Sequence, residues 1–514
     1  MTQRVALAAT LILLATPIAA QDSAAPLSAI DWLSQSVESA SASRVEQPPR
    51  PEPPVTGNAA APTISVAPLA AAASATGILP PEVTGLPLDL WAKSDESVLI
   101  SLIRAEQTET LPALQELMVT LMLAEASAPV NGSADAMFLA RVDKLLDLGA
   151  LEAAQSLLES GDLHDAETFR RWFDVSLLRG TEADACTLLR DNTSLAPTLM
   201  ARVFCLARNG DWNAAVLTLN SARALGDVTP DEDGLLTRFL DPEFAEPEED
   251  LLPPSRPSPL VYRLKEAVGE LMPTSGLPLA FSHADLRDIV SWRAQIEAAE
   301  RLARHSVLSE NVLLGIYTAR APAASGGIWD RAAAIQRLDR ALSAKDKAAV
   351  GDALLPAWKA MQDVDLEVPF ARLFGQPLLD LGLDGEAGTL AHRIALLSPS
   401  YEDAARSYAP ISAQDRVLRA VASGEVTEDL VGGDAPSEAV LSGFRNPTLS
   451  EPLKAAIEEG RTGEAILRAI AAFQQGLDGD HKAITEALAT LSSVGLDDVA
   501  HRAALQYLLL DARA

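Results

Sequence analysis

From Trp91 onward, apolar residues recur every three to four positions. The stretches ALQELMVTLMLAEA (113–126), FLARVDKLLDLG (138–149), FRRWFDVSLLRG (169–180) and LMARVFCLARNG (199–210) each line one helical face, and no window alternates over six residues as a half-buried strand would. Gly, Asp, Ser and Pro punctuate these runs and mark the helix ends. The pattern predicts an all-α fold of antiparallel helix pairs in two blocks, 91–226 and 260–514. Between them, residues 227–259 hold ten acidic side chains against two arginines and read as an acidic, Pro-rich linker in which a long helix is not expected.

The N-terminus follows other rules. Residues 1–20 have a short positive start at Arg4, an apolar run from Val5 to Ala15 and small residues up to Ala20, the pattern of a signal peptide cleaved after Ala20. The run is shorter than the ~18 to 20 apolar residues that span a bilayer. Residues 21–90 form a Pro/Ala-rich tail, with seven prolines between Pro48 and Pro68, and are expected to be disordered. One island, 27–38, carries Ile30, Leu33 and Val37 at helical spacing, with Trp32 beside them and Ser28 placed to cap. A short amphipathic motif of this kind docks into a groove, in cis or in trans.

A helix junction recurs along the chain. Gly149, Gly180 and Gly210 each end an apolar helix and are followed five residues on by Ala154, Ala185 and Ala215; the spacing returns at Gly382/Ala387, Gly460/Ala465 and Gly495/Ala500. Glycine accepts the left-handed backbone that ends one helix, and alanine lets the next helix approach closely. In NGDWNAAVLTLNSARALG the junction resembles the tetratricopeptide repeat: Gly210, Asp211 and Trp212 match its Gly-Asp-aromatic turn, and Ala215 and Ala222 its small positions, while Val203 replaces the small residue of the first helix. The resemblance covers about half the mature chain and implies a tetratricopeptide-like α-solenoid.

The two cysteines, Cys186 and Cys205, lie in neighbouring predicted helices. A hairpin folded about Asn192 sets Cys186 opposite Ala201, so a disulfide needs staggered helices; a bond and two buried thiols both fit.

Composition narrows the partners. With 41 Lys+Arg against 71 Asp+Glu the net charge is −30, which argues against nucleic acid and against anionic lipid surfaces. Residues 287–347 reverse the trend with ten basic and seven acidic residues. There Trp292, Arg293, Arg320, Trp329, Arg331 and Arg337 make a candidate Arg/Trp partner-binding patch, Arg and Trp being frequent interface anchors. Spacing also suggests ion pairs Glu297–Arg301 and Glu300–Arg304.

Catalytic and cofactor templates are missing. There is no phosphate loop, no His-Glu-x-x-His and no Gly-x-Ser-x-Gly. Asp231–Gly234 imitates part of a calcium loop, but Thr229 and Leu240 occupy ligand positions. The six histidines show no metal spacing and read as surface or helix-end residues. No catalytic residue, metal or cofactor is expected. The reading is a non-enzymatic, periplasmic scaffold that binds other envelope proteins, in a flagellar motor, a secretion system or a cell-wall complex. A cell-wall lyase with a helical-superhelix body is the enzyme alternative, its nearest segment being ELMPTSGLP (270–278), which has proline where that family needs helix. A small-molecule or polysaccharide binder is the other alternative, disfavoured by only 4% aromatic residues.

Overall fold

The computed structural model describes residues 75–129, 131–241, 257–407, 409–445 and 448–510. The expected signal peptide and the motif 27–38, with Ile30, Trp32, Leu33 and Val37, lie outside the described residues, as does most of the expected tail. Among the described residues every regular element is helical, and only isolated bridges pair Thr76 with Ala126 and Leu79 with Ala124. The fully buried Arg141 holds this entry segment, donating to the carbonyls of Met122, Ala124 and Thr76 at 2.7, 2.7 and 2.9 Å.

The first helices are α1 (Glu96–Ala105), α2 (Pro112–Leu123), α3 (Ala134–Asp147), α4 (Leu151–Glu159), α5 (Ala166–Arg179), α6 (Glu182–Asp191), α7 (Leu199–Arg208) and α8 (Trp212–Leu225). From α2 to α8 each packs against the next. The junctions explain the order. Gly149, Gly180, Gly210, Gly382, Gly460 and Gly495 all have positive φ, between 61 and 85°. Ala154, Ala185, Ala215, Ala465 and Ala500 are all completely buried, and only Ala387 is half-exposed. The left-handed glycine and the close-packed alanine are thus one device, used repeatedly.

Cys186 and Cys205 are joined by a disulfide, with Cα atoms 4.9 Å apart. The turn is centred later than Asn192: a 3-10 turn at Thr193–Leu195 and a bend at residues 197–198 carry the chain over, which brings Cys186 to Cys205.

The expected linker is partly helical. Pro230–Leu240 forms α9, with Pro230 at its first position and a capping box in which Thr229 Oγ1 accepts from the Glu232 amide and Glu232 accepts from the Thr229 amide. Proline at a helix start removes no internal hydrogen bond, and the acidic run Asp231–Asp233 sits where the helix dipole favours it. The same residues that imitate a calcium loop are therefore a helix start.

After α9 the chain turns back on its own first block. Helix α10 (Pro259–Ala267) packs on α5, and the 3-10 segment Leu279–Leu286 packs on α3 and α5. Leu279 stands so close over Gly149 that a Cβ there would meet it at 2.7 Å, and His283 Nε2 bonds the Gly149 carbonyl at 2.7 Å. Two of the histidines expected at the surface or at helix ends, His283 and His392, are buried, the first because the return segment that carries it packs against the first block at Gly149.

Next come α11 (Trp292–Arg304), α12 (Glu310–Thr318), α13 (Ile328–Ser343), α14 (Lys347–Gln362), α15 (Glu367–Leu381) and α16 (Gly385–Leu396), which enclose a core of their own around Ile296, Leu313, Tyr317, Leu338, Leu354 and Phe370. The remaining helices, α17 (Tyr401–Ser407), α18 (Ala413–Ser423), α19 (Ala435–Arg445), α20 (Glu451–Glu458), α21 (Thr462–Leu477), α22 (His481–Ser493) and α23 (Asp497–Leu510), add to that core only Leu509 and Leu510 at the end of α23. These helices rejoin the first one, where Ile466, Phe473, Leu488 and Leu505 share a cluster with Trp91, Leu117, Phe169 and Leu264. The hydrophobic cores therefore do not divide at 227–259.

Closure is specific. The Gly463 amide donates to the Leu90 carbonyl at 3.0 Å, and the Gln506 Oε1 accepts from the Ala113 amide at 2.9 Å. Glu116 on α2 is held by Arg372 from α15 and by Arg502 from α23. Gly463 lies flat against Trp91, where a Cβ would meet the indole at 2.4 Å. In an exposed helix Gly→Ala stabilises by up to about 1 kcal/mol. Here Gly463→Ala is expected to destabilise instead, by roughly 1–3 kcal/mol through overpacking of Trp91, read as a lowered urea midpoint.

Candidate interaction surface

The Arg/Trp cluster is partly assembled and partly internal. Ser291 caps α11, and the next residue, Trp292, is buried, its Nε1 donating to the Ile316 carbonyl at 2.8 Å. Gly326 and Gly327 turn the chain into α13; Gly327, at φ 52° and ψ −120°, has a backbone that a side chain would oppose. That turn brings the half-buried Trp329 onto Trp292, with ring centroids 5.2 Å apart.

Arg331 is directed inward. Its Nε and Nη2 each donate to a Glu300 oxygen at 2.7 Å, and the Tyr317 hydroxyl donates to the same carboxylate at 2.7 Å. Glu300 is thus bonded across helices and does not pair with Arg304, which donates to the Val364 carbonyl. Arg301 likewise leaves Glu297, donating instead to the Thr274 and Leu277 carbonyls and to Ser282 Oγ. Glu297 pairs with the exposed Arg293 at 2.8 Å. The i,i+4 pairs expected from spacing are overridden because α11 is packed on two sides and its charges satisfy neighbouring elements. Trp292 and Arg331 therefore serve the core, whereas Arg293, Trp329 and Arg337 face outward depressions; Arg320 is exposed and lines none of those described here.

Three depressions adjoin one another. One, of about 430 Å³, is bordered by Arg293, Glu297, Gly326, Gly327, Trp329 and Arg331. Gly327 and Arg331 also border a second of about 430 Å³, whose far wall is Arg337, Pro356, Ala360 and Asp363. On the other side Glu297 borders a third, of about 580 Å³, between α10 and α11. The third was not legible from the sequence: Leu271 and Ile289, which border it, sit in the short apolar pairs Leu271-Met272 and Ile289-Val290, with no periodicity to mark them. Another exposed apolar face lies on α8, at Trp212, Val216 and Leu217, where Trp212 leans on Phe239 at 6.0 Å.

Ser492, Asp497 and His501 line a separate depression of about 420 Å³. The Ser492 hydroxyl makes no hydrogen bond, and the His501 ring packs on Phe444 at 5.0 Å, so the three do not form a proton relay. Burial lowers the His283 and His392 imidazoles to about 4. Burial pushes the Asp174 carboxyl up to about 7 against the pull of Arg170 and Arg171, and the Glu106 carboxyl up to about 8 against that of Lys144. No group of three or more His, Cys, Asp or Glu among the described residues could hold a metal ion, and no helix among them is long and apolar enough to cross a membrane.

No family model, curated protein or solved structure matches this chain.

Glu106 gives a pH signature. A carboxyl whose folded pKa is raised contributes stability that is complete below its unfolded value, near 4.5, and is lost as pH rises through about 8. Glu106→Gln removes that loss. The variant's melting temperature is expected to exceed that of the wild type by several degrees at pH 8.5, and the difference to shrink toward zero near pH 4.5.

Proposed function

We propose that the chain is an exported, non-enzymatic helical-repeat scaffold that binds other proteins of the cell envelope. The observation that carries this reading is the row of three adjoining depressions along α10, α11, α13 and α14, presenting the exposed Leu271, Ile289, Arg293 and Arg337 together with the half-buried Trp329. Such side chains anchor protein interfaces, and contiguous apolar patches on a folded chain mark contact sites. The helix pairs are compatible with a tetratricopeptide-like solenoid, an architecture that presents extended surfaces and works by binding. The Cys186–Cys205 bond supports an oxidising compartment, in line with the signal-like N-terminus. The motif 27–38, tethered by the Pro/Ala-rich tail, adds a second point of attachment and raises effective concentration at the same assembly.

A photo-crosslinking residue placed at Ile289, Trp329 or Arg337 in the producing cell tests this. All three positions are expected to yield adducts with the same partner, and an equally exposed site away from the row, Val431, is expected to yield none. Identical adduct patterns from Val431 and from the row contradict the reading.

A further inference from the structure

The largest of the three depressions has a composition that specifies what enters it. Its rim carries Leu271 and Ile289, each 79% exposed and the most exposed of the large apolar side chains described. Between them run Met272, Val290, Ala294 and Ala298, so the walls are mainly apolar. Solvating two such aliphatic lips costs free energy that a partner's apolar side chain removes.

Its lining is acidic on balance: the carboxyls of Glu266, Asp285 and Glu297 stand against one cation, Arg301. Asp285 is half-buried and accepts from the Thr274 hydroxyl, and no cation among the described residues forms an ion pair with it. The basic groups nearby are all engaged elsewhere. Arg263 and Arg287 bind Glu266, Arg293 binds Glu297, and Arg301 spends its donors on the Thr274 and Leu277 carbonyls and on Ser282 Oγ. Burial raises the Asp285 carboxyl above its ordinary range, and the Glu297 charge raises it further. A carboxylate left in this position gains from a cation brought by the ligand, where a charge-assisted hydrogen bond in a partly dry cleft is strong.

We infer that the groove between α10 and α11 receives a partner segment presenting a lysine or arginine beside an aliphatic side chain, the cation seated on Asp285 and the aliphatic group between Leu271 and Ile289. This deepens the proposed scaffold role and rests on it. The chain's own motif 27–38 has the opposite charge, with Asp31 and Glu38, and does not suit this lining.

The test uses the full mature chain and three acetylated tripeptide amides: Leu-Arg-Leu, its neutral isostere Leu-citrulline-Leu, and Leu-Glu-Leu, titrated by ligand-observed NMR. Leu-Arg-Leu is expected to bind saturably and at least ten-fold more tightly than the citrulline peptide, with Leu-Glu-Leu weakest. Asp285→Asn, which keeps an acceptor for Thr274 and is expected to fold with unchanged circular dichroism, should bring the Arg and citrulline peptides within two-fold of each other. Ile289→Ser should weaken both. Equal binding of the Arg and citrulline peptides, an unchanged preference in Asp285→Asn, tighter binding of a peptide spanning 27–38, or no saturable binding at millimolar Leu-Arg-Leu overturns the inference. If these fail while Trp329 and Arg337 still crosslink to one partner, only the chemistry assigned to this end of the row falls, and the scaffold reading stands.

Discussion

The return of the C-terminal helices onto the N-terminal ones is the constraint on which the rest depends. Trp91 is sealed by Gly463, the Ala113 amide is satisfied by Gln506, and Glu116 is held from two directions by Arg372 and Arg502. Without α21 and α23, the apolar faces of α1 and α2 would be open to water. The longest of these contacts joins residues 393 positions apart, yet loop-closure entropy grows only logarithmically, each doubling of a loop costing about 0.6 kcal/mol. The larger consequence is kinetic, because long-range pairing of this kind is made late in folding.

Closure also decides where a partner can bind. The segment from Pro259 to Arg287 packs along the Gly149 and Gly180 junctions of the first block, so this side is already occupied by the chain itself. Helices α11 to α16, with their own core, stand between the two parts of the shared one in sequence. The largest depression lies where the return segment meets α11, and the other two lie within the second block, one bordered by α11 and the start of α13 and one by α13 and α14. Arg301, bonded to Thr274, Leu277 and Ser282, is the tie that fixes α11 against the return segment.

What the sequence revealed was local. Six Gly-x4-Ala junctions announced left-handed helix ends and buried alanines because both are set by contacts between consecutive helices, and five of the six alanines are buried. The all-helical class followed from periodicity for the same reason. The disulfide was undecided because the position of the turn, at Thr193–Leu195, was not visible in the pattern. Acidic density concealed α9, since the residues that mark a solvated linker also cap a helix. Non-local facts were hidden altogether. Nothing in the sequence shows that the C-terminal helices complete the first core, that Arg331 is bonded to Glu300, or that Leu271 and Ile289 border one depression. Of the Arg/Trp cluster, Trp292 is buried on the Ile316 carbonyl and Arg331 is tied to Glu300 while bordering two of the depressions, and Arg293, Trp329 and Arg337 line depressions as well.

The shared core can be tested by cutting the chain. A specific protease site inserted between residues 248 and 249 separates α1–α9 from everything that follows, and the Cys186–Cys205 bond lies wholly within the first piece. After cleavage, a shared core predicts that the two pieces elute together on gel filtration and unfold in one transition. Pieces that separate, each retaining its helical signal and melting independently, would contradict the account.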